Sequence, residues 1–108
     1  MLNIIDTWIK ATVEHRIINI DYYSWRTKHE YTNRDIEPDF VGLSRDGKNQ
    51  GLWATFCHLR HEGPRCFKAD SIRRYSVSDR TFIPSALGRW NELIPLYEQS
   101  DLKNRPFR

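Results

Sequence analysis

The sequence contains only two cysteines, four histidines and no long apolar run, and each of these shortages excludes a class of protein. Two cysteines, Cys57 and Cys66, do not make a disulfide framework, so we expect reduced thiols. The histidines show no spacing typical of a zinc site, and we expect neither a metal nor a cofactor. No apolar segment is long enough to span a membrane, and Asp6 and Lys10 interrupt the N-terminal segment too early for a signal peptide. We therefore expect a cytoplasmic protein.

The charge of the chain is locally concentrated rather than high. The 108 residues include 17 basic and 14 acidic side chains, a net charge of +3, with 39% hydrophobic and 13% aromatic residues, which is typical of one folded domain. Residues 58–80 carry six basic and three acidic side chains, whereas residues 1–57 carry seven and eight. Such a local basic excess favours binding of a small anion or a short nucleic-acid segment over the coating of a duplex.

The hydrophobic pattern predicts a helix at each end of the chain. Asn3 is a helix-capping residue type, and the apolar residues that follow recur at helical spacing, which predicts a helix over about residues 4–15. Near the C-terminus Ser85 can cap a second helix over about 85–97, which Pro95 should kink or end. The polar segment 99–108 is predicted to be a flexible tail, so that residues 1–98 form a single domain.

Between these helices the sequence predicts a sheet. β-Branched and aromatic residues separated by turn signals indicate strands, and the clearest turn signal is Asp46-Gly47. About five short antiparallel strands flanked by helices indicate the α+β class, with a strongly bent sheet or a small, partly closed barrel. The barrel core covers about residues 17–77, and its predicted strands are 17–23, 31–38, 39–44, 51–60 and 65–70, with 72–77 either continuing the last strand or beginning another.

The long apolar run that starts at Gly51 and the basic run that starts at Arg65 form the central predicted hairpin. Its shortest loop pairs Arg60 with Arg65 and His58 with Phe67, which places all four side chains on one face. Like charges opposite each other on a ladder are destabilising, so this face predicts a bound anion with a flat ring, such as a nucleotide or a nucleic-acid segment. The alternative is that both arginines turn into water and cover the ring with their stems.

Four sequence segments follow one another along the chain: Ile-x-Ile-x-Tyr-Tyr-Ser at 18–24, Arg-Asp-Ile-Glu-Pro at 34–38, and the runs 54–60 and 65–72. Together they resemble the WYL-domain family, and the resemblance covers about residues 4–83. Two features depart from the family. Gly51-Leu52-Trp53 stands where the family has the tripeptide that names it, and Asp70-Ser71-Ile72 lacks the arginine of the family's Asp-Arg-Ile signature.

The resemblance implies an Sm-like small β-barrel preceded by a helix. In the family such domains usually follow a helix-turn-helix in bacterial transcription regulators, or accompany helicases and CRISPR or other phage-defence proteins. There they are regarded as sensors of nucleotides or single-stranded nucleic acid, with a basic pocket. Carried over by position, the residues of that pocket are Ser24, Arg34, His58, Arg60, Arg65 and Lys68.

Three of these residues also have purely structural interpretations. Arg34 can pair with the nearby Glu37, and His58 can be a packing residue among apolar neighbours. Ser24 can be a turn residue at the end of a strand. The role of each residue therefore depends on where the fold places its side chain.

The leading interpretation is a non-enzymatic WYL-like regulatory module that binds a nucleotide or short single-stranded nucleic acid, in bacterial transcription regulation or phage defence. Catalysis is not expected, because Cys57 and His58 are adjacent on a strand and point in opposite directions. The alternative is a protein–protein interaction or oligomerisation module, acting as a subunit or inhibitor of a larger complex that contains a regulator or nuclease. Strand edges and the C-terminal helix would then form a homodimer or dock on that partner.

Overall fold

In the part of the chain that the structure describes, the order of elements is helix, five strands, helix. The structure, a computed structural model, describes residues 2–23, 30–57 and 65–107, without the side chains of residues 55–57. The elements are α1 (Ile4–Val13), β1 (Arg16–Tyr23), β2 (Tyr31–Leu43), β3 (Gln50–Cys57), β4 (Arg65–Lys68), β5 (Ile72–Thr81) and α2 (Ile94–Gln99). Short 3-10 turns cover Ala69–Ser71, Trp90–Leu93 and Leu102–Asn104. No helix in the described part of the chain is long and apolar enough to cross a membrane.

Helix α1 begins at the predicted cap. The Asn3 Oδ1 accepts the Asp6 N–H at 2.8 Å, which satisfies one of the backbone donors that the start of a helix leaves without a helical partner. The helix ends at Val13, slightly earlier than predicted. His15 adopts the left-handed conformation, with φ at 58°, and a residue in that conformation ends a helix and redirects the chain.

The five strands form one antiparallel sheet in the order β4-β3-β2-β1-β5, which confirms the predicted α+β class. Among the described residues β4 and β5 are not paired with each other, so the sheet is open between them and the closed barrel stays a prediction. Only the turn Ala69–Ser71 separates the end of β4 from the start of β5. The two edge strands are therefore neighbours at this corner of the molecule.

Strand β2 corrects the prediction of two strands over 31–38 and 39–44. It runs without interruption from Tyr31 to Leu43, pairing first with β1 and then with β3, and its register against β3 shifts on both sides of Pro38. A proline has no N–H for the ladder, and a bulge accommodates it inside a strand. The strand is therefore irregular at Pro38 but does not end there.

The predicted register of the central hairpin is wrong by six residues. Arg65 lies opposite Ala54 rather than Arg60, and Phe67 lies opposite Leu52. This register leaves only 1% of Phe67 exposed, and burial of an aromatic ring stabilises the fold more than the longer loop destabilises it. Because the shift is an even number, Arg65 and Phe67 keep a common face with Leu52 and Ala54. The facing pair of arginines, however, is no longer an argument for a bound anion.

The core lies between α1 and the inner face of the sheet, which we define as the face that carries Ile20, Ile36 and Phe67. Trp8 of α1 is completely buried on this face, and its indole N–H donates to the Trp53 carbonyl of β3 at 3.0 Å. This bond fixes the helix on the sheet and leaves the rest of the ring for apolar contact. The buried residues of this core are Trp8, Ala11, Ile18, Ile20, Ile36, Leu52, Ala54 and Phe67.

The C-terminal segment differs most from the prediction. Residues 85–89 are not helical, and α2 begins only at Ile94, with Pro95 in its first turn. A proline is accepted there because the first N–H groups of a helix have no helical partner, so Pro95 starts the helix instead of ending it. Beyond α2, where the sequence predicts a flexible tail, Leu102 is completely buried and belongs to a second apolar cluster with Ile9 of α1.

Candidate anion-binding site

Arg34 is buried on the inner face of β2, where it lies opposite Ile20 and is only 2% exposed. Its Nε donates to the Thr32 Oγ1 at 2.9 Å. Its Cζ lies 5.3 Å from the centroid of the Tyr22 ring and 5.7 Å from that of Phe67. Removing a guanidinium from water is unfavourable, and attraction to the faces of aromatic rings offsets part of that loss. The inner face thus holds a positive charge inside an aromatic environment.

Three strands converge on this guanidinium. Tyr22 comes from β1, Arg34 from β2 and Phe67 from β4, and the two rings pack edge to face with centroids 4.9 Å apart and 84° between their planes. The Lys68 backbone N–H also donates to the Tyr22 hydroxyl at 3.4 Å. Side chains therefore connect β1 with β4, two strands that are not neighbours in the described sheet. We call Tyr22, Arg34 and Phe67 the arginine–aromatic cluster.

Arg65 and Lys68 are placed differently with respect to this cluster. Arg65 is two residues before Phe67 on β4, so it shares the inner face, and it is half-buried. Lys68 follows Phe67 directly, so alternation turns its exposed side chain to the other face. It adds a small favourable charge near Asp46, whose pKa is lowered chiefly by hydrogen bonds from the Ser44 hydroxyl and the Lys48 backbone N–H. The structure thus brings Arg34 and Arg65 to one face and separates Lys68 from them.

Three of the predicted site residues, Ser24, His58 and Arg60, lie outside the described residues. Their roles stay predictions carried by the family resemblance. The fold adds two side chains that sequence reasoning missed, Thr32 and Tyr22. Strand alternation was the signal for both, since Tyr22 is two residues after the buried Ile20 and Thr32 is two residues before Arg34.

The outer face of β1, β2 and β5 carries a contrasting polar arrangement. Asn19 and Asn33 exchange amide hydrogen bonds at 2.8 and 2.9 Å, and Asn33 also donates to an Asp21 carboxylate oxygen at 2.8 Å. Arg73 of β5 lies 3.4 Å from the other oxygen of that carboxylate. The Asn33 amide first, and the Arg73 guanidinium to a smaller extent, hold the pKa of Asp21 below its usual range. Arg73 is thus engaged by a carboxylate of its own chain.

Other chemistry finds less support in the described part of the chain. No group of three or more His, Cys, Asp or Glu side chains there is placed to hold a metal ion. Cys66 is a free, half-buried thiol opposite Trp53, and burial raises its pKa, which lowers the fraction of reactive thiolate. Neither observation supplies a nucleophile or a metal centre.

A helix packed on one face of an antiparallel sheet, with an arginine buried beside aromatic rings on that face, defines a small α+β domain. Residues 3–77 match the family model described as the WYL domain. The chain therefore belongs to the WYL-domain family, and this match confirms the resemblance that the four sequence segments indicated.

One solved structure similar to this chain is Proteasome accessory factor B/C (PafBC) of Arthrobacter aurescens, at a TM-score of 0.62 and 24% sequence identity. The similarity covers 76% of this chain but only 12% of that chain, so this chain spans a small part of the length of that protein. A likeness at this identity shows a shared fold. A search of the curated proteins finds no match.

Proposed function

We propose that this chain is a non-enzymatic regulatory module that binds a nucleotide or a short single-stranded nucleic acid on its inner face, next to the arginine–aromatic cluster. The observation that carries the proposal is the position of the Arg34 guanidinium, 5.3 Å from one ring and 5.7 Å from another, on the face that Arg65 shares. Phosphates are attracted by guanidinium groups, and a base would stack on the ring of Tyr22, the half-buried member of the cluster.

The two arginines take different parts in this proposal. Arg34 is 2% exposed, so it acts from beneath the surface by holding the rings of Tyr22 and Phe67 and by adding positive potential. Arg65 is half-buried, and in this proposal it contacts a phosphate oxygen. The predicted residues Ser24, His58 and Arg60 would complete the binding surface. Lys68, on the other face, would contribute only long-range attraction.

In this proposal, ligand binding by the module regulates the activity of a partner protein. The family resemblance implies bacterial transcription regulation or phage defence, and we extend that setting to this chain. We infer that the bound ligand changes the contacts made with a partner regulator, nuclease or other effector protein, since a ligand shifts an equilibrium only by favouring one of two states.

The experiment is a fluorescence-anisotropy titration of labelled single-stranded DNA and RNA, with unlabelled ATP and other nucleotides as competitors. It compares the wild type with Arg60→Ala/Arg65→Ala at about 50 and 200 mM salt. We expect binding that weakens at the higher salt and falls about tenfold or more in the double variant, because each lost phosphate contact removes counterion release.

The matched control is Arg73→Ala/Arg80→Ala, which removes the same charge from the outer face, where Arg73 pairs with Asp21 and Arg80 with Asp35. We expect this control to keep most of the affinity. Equal losses in both double variants would mean that only net charge matters, and would refute a site on the inner face. Absence of binding to every probe would leave the alternative, a protein–protein interaction module.

A further inference from the structure

The last 19 described residues, which we call the strap (residues 89–107), pack mainly on α1, and at their start the Arg89 N–H donates to the Asp39 carboxylate of β2 at 2.9 Å. The centre of the strap is held by Lys10 of α1, whose Nζ donates to the Leu102 carbonyl at 2.7 Å and to the Lys103 carbonyl at 3.3 Å. The Lys10 ammonium is also 3.3 Å from a Glu14 carboxylate oxygen, which accepts the Tyr97 hydroxyl at 2.6 Å. The Lys10–Leu102 bond is buried and the other contacts are partly buried, so the strap is bound to α1 as a partner segment would be.

Apolar contacts surround this polar centre. Leu93 and Leu102 of the strap are 1% and 0% exposed and pack with Ile9 of α1. The ring of Phe107 lies beneath the Lys10 ammonium, 5.0 Å from its centroid. All of the strap lies beyond residue 77, where the match to the family model ends.

The connection between β5 and the strap makes far fewer contacts. Its hinge (residues 83–88) includes Ile83 and Leu87, which are 92% and 95% exposed, the highest values among the large apolar residues of the described chain. Its only described hydrogen bonds are internal, from Leu87 and Gly88 to Ser85. Both side chains leave apolar area in water that an association of two chains would bury.

Both ends of the hinge lie next to His15, which follows the end of α1. The Phe82 ring lies 6.0 Å from the His15 ring, and the Trp90 ring lies 4.7 Å from it on the return. The Phe82 N–H also donates to the His15 carbonyl at 3.0 Å. The hinge therefore leaves and returns to the same place. Extended, its six residues would span about 20 Å, enough to reach an adjacent molecule.

We propose that two copies of this chain exchange their straps, so that the strap of each copy lies on α1 of the other. The second copy is the occupant that the structure favours, because it presents the same α1 surface to which the strap is already complementary. Exchange keeps every strap contact and changes only the hinge. The two hinges would then run antiparallel between the two His15 positions, so that Ile83 of one copy covers Leu87 of the other.

The first test is solution mass by light scattering over a range of protein concentrations. We expect a wild-type dimer of twice 13.0 kDa at high concentration. Because Ile83 and Leu87 are exposed in the closed form, Ile83→Ser/Leu87→Ser leaves the monomer fold intact and should weaken the dimer about tenfold or more. Inserting Gly-Ser-Gly-Ser after Ala86 should also favour the monomer, since a longer hinge folds back more easily.

The second test distinguishes exchange from any other dimer. A mixture of isotope-labelled and unlabelled chains is allowed to equilibrate, and filtered NOEs report only contacts between two chains. We expect a filtered NOE between the His15 and Trp90 rings, and none between Trp8 and Phe67, which lie 6.2 Å apart within one copy. A single-chain mass at all concentrations would overturn the proposal, and so would a dimer that lacks the His15–Trp90 signal.

Discussion

Lys10 and Arg34 are both buried cations, 5% and 2% exposed, but they are held by different chemistry. The contacts described for Lys10 are two carbonyl oxygens at the C-terminal 3-10 turn, the Glu14 carboxylate and one aromatic ring, that of Phe107. Those described for Arg34 are the Thr32 hydroxyl and two aromatic rings. An ammonium is a compact point charge that suits converging oxygens, whereas a guanidinium is planar and stacks on rings.

The difference explains why one cation is structural and the other belongs to a candidate site. The positive charge of Lys10 is neutralised where it sits, and its oxygens tie the strap to α1. Arg34 is on the face that it shares with Arg65, and of the two rings beside it Phe67 is buried whereas Tyr22 is half-buried. The same charge thus stabilises the fold in one region and equips a surface for binding in the other.

The largest expected effect comes from removing a ring of the arginine–aromatic cluster. Phe67→Ala should lower the free energy of unfolding by about 3–5 kcal/mol, because it leaves a cavity in the core and removes one of the two rings that Arg34 contacts. Urea unfolding measures the loss. Tyr31→Ala is the control, since its half-exposed ring stacks with Arg73 at 4.0 Å on the outer face and should contribute less than about 1 kcal/mol. Equal losses would contradict the contrast between the faces.

Exchanging the two cation types should be the next largest effect. Arg34→Lys and Lys10→Arg should each destabilise the chain by about 1–3 kcal/mol, because neither environment fits the other head group. Urea unfolding again provides the measurement. The matched control is Lys103→Arg, because Lys103 is an exposed lysine on the strap, and its free energy of unfolding should stay within about 0.5 kcal/mol of the wild type. If both exchanges proved neutral, the comparison between the two cations would be wrong.

The smallest expected effect is a pH dependence of the strap. Burial, and then the hydrogen bond to Glu14 and the charge of that carboxylate, raise the pKa of Tyr97 to about 12. The unfolded chain loses this proton near pH 10, whereas the folded chain keeps it until about pH 12. The stabilisation is therefore complete below about pH 10 and falls as pH rises toward about 12. The unfolding free energies of wild type and Tyr97→Phe should therefore converge across this window, whereas a constant difference would refute the assigned role.

Local patterns predicted the parts of this fold that depend on neighbouring residues. The Asn3 cap, the Asp46-Gly47 turn and the alternation through Ile18, Ile20 and Tyr22 are each decided within a few residues, and the structure has all three. The α+β class and the family follow from such patterns. Arg65 and Phe67 could be placed on one face for the same reason.

Contacts between distant residues decided the rest. The hairpin register depends on Phe67 reaching Leu52 and the Trp8 ring, which a shortest-loop argument ignores. The buried Lys10 bonds a carbonyl 92 residues away, and no local rule predicts a buried lysine there. The packing of the polar C-terminal segment could not be predicted from its composition for the same reason.

The backbone around Gly51 explains why this chain has no tryptophan at the first position of the family's tripeptide. A Cβ at this position would lie 2.8 Å from the Leu43 carbonyl carbon and oxygen and from the Ser44 nitrogen, because the β2–β3 turn folds down onto it. The backbone of the turn thus occupies the volume that a tryptophan would fill at this position of the family motif. Any side chain at residue 51 would therefore require the backbone of Leu43 and Ser44 to move, so the residue type here and the path of the turn constrain each other.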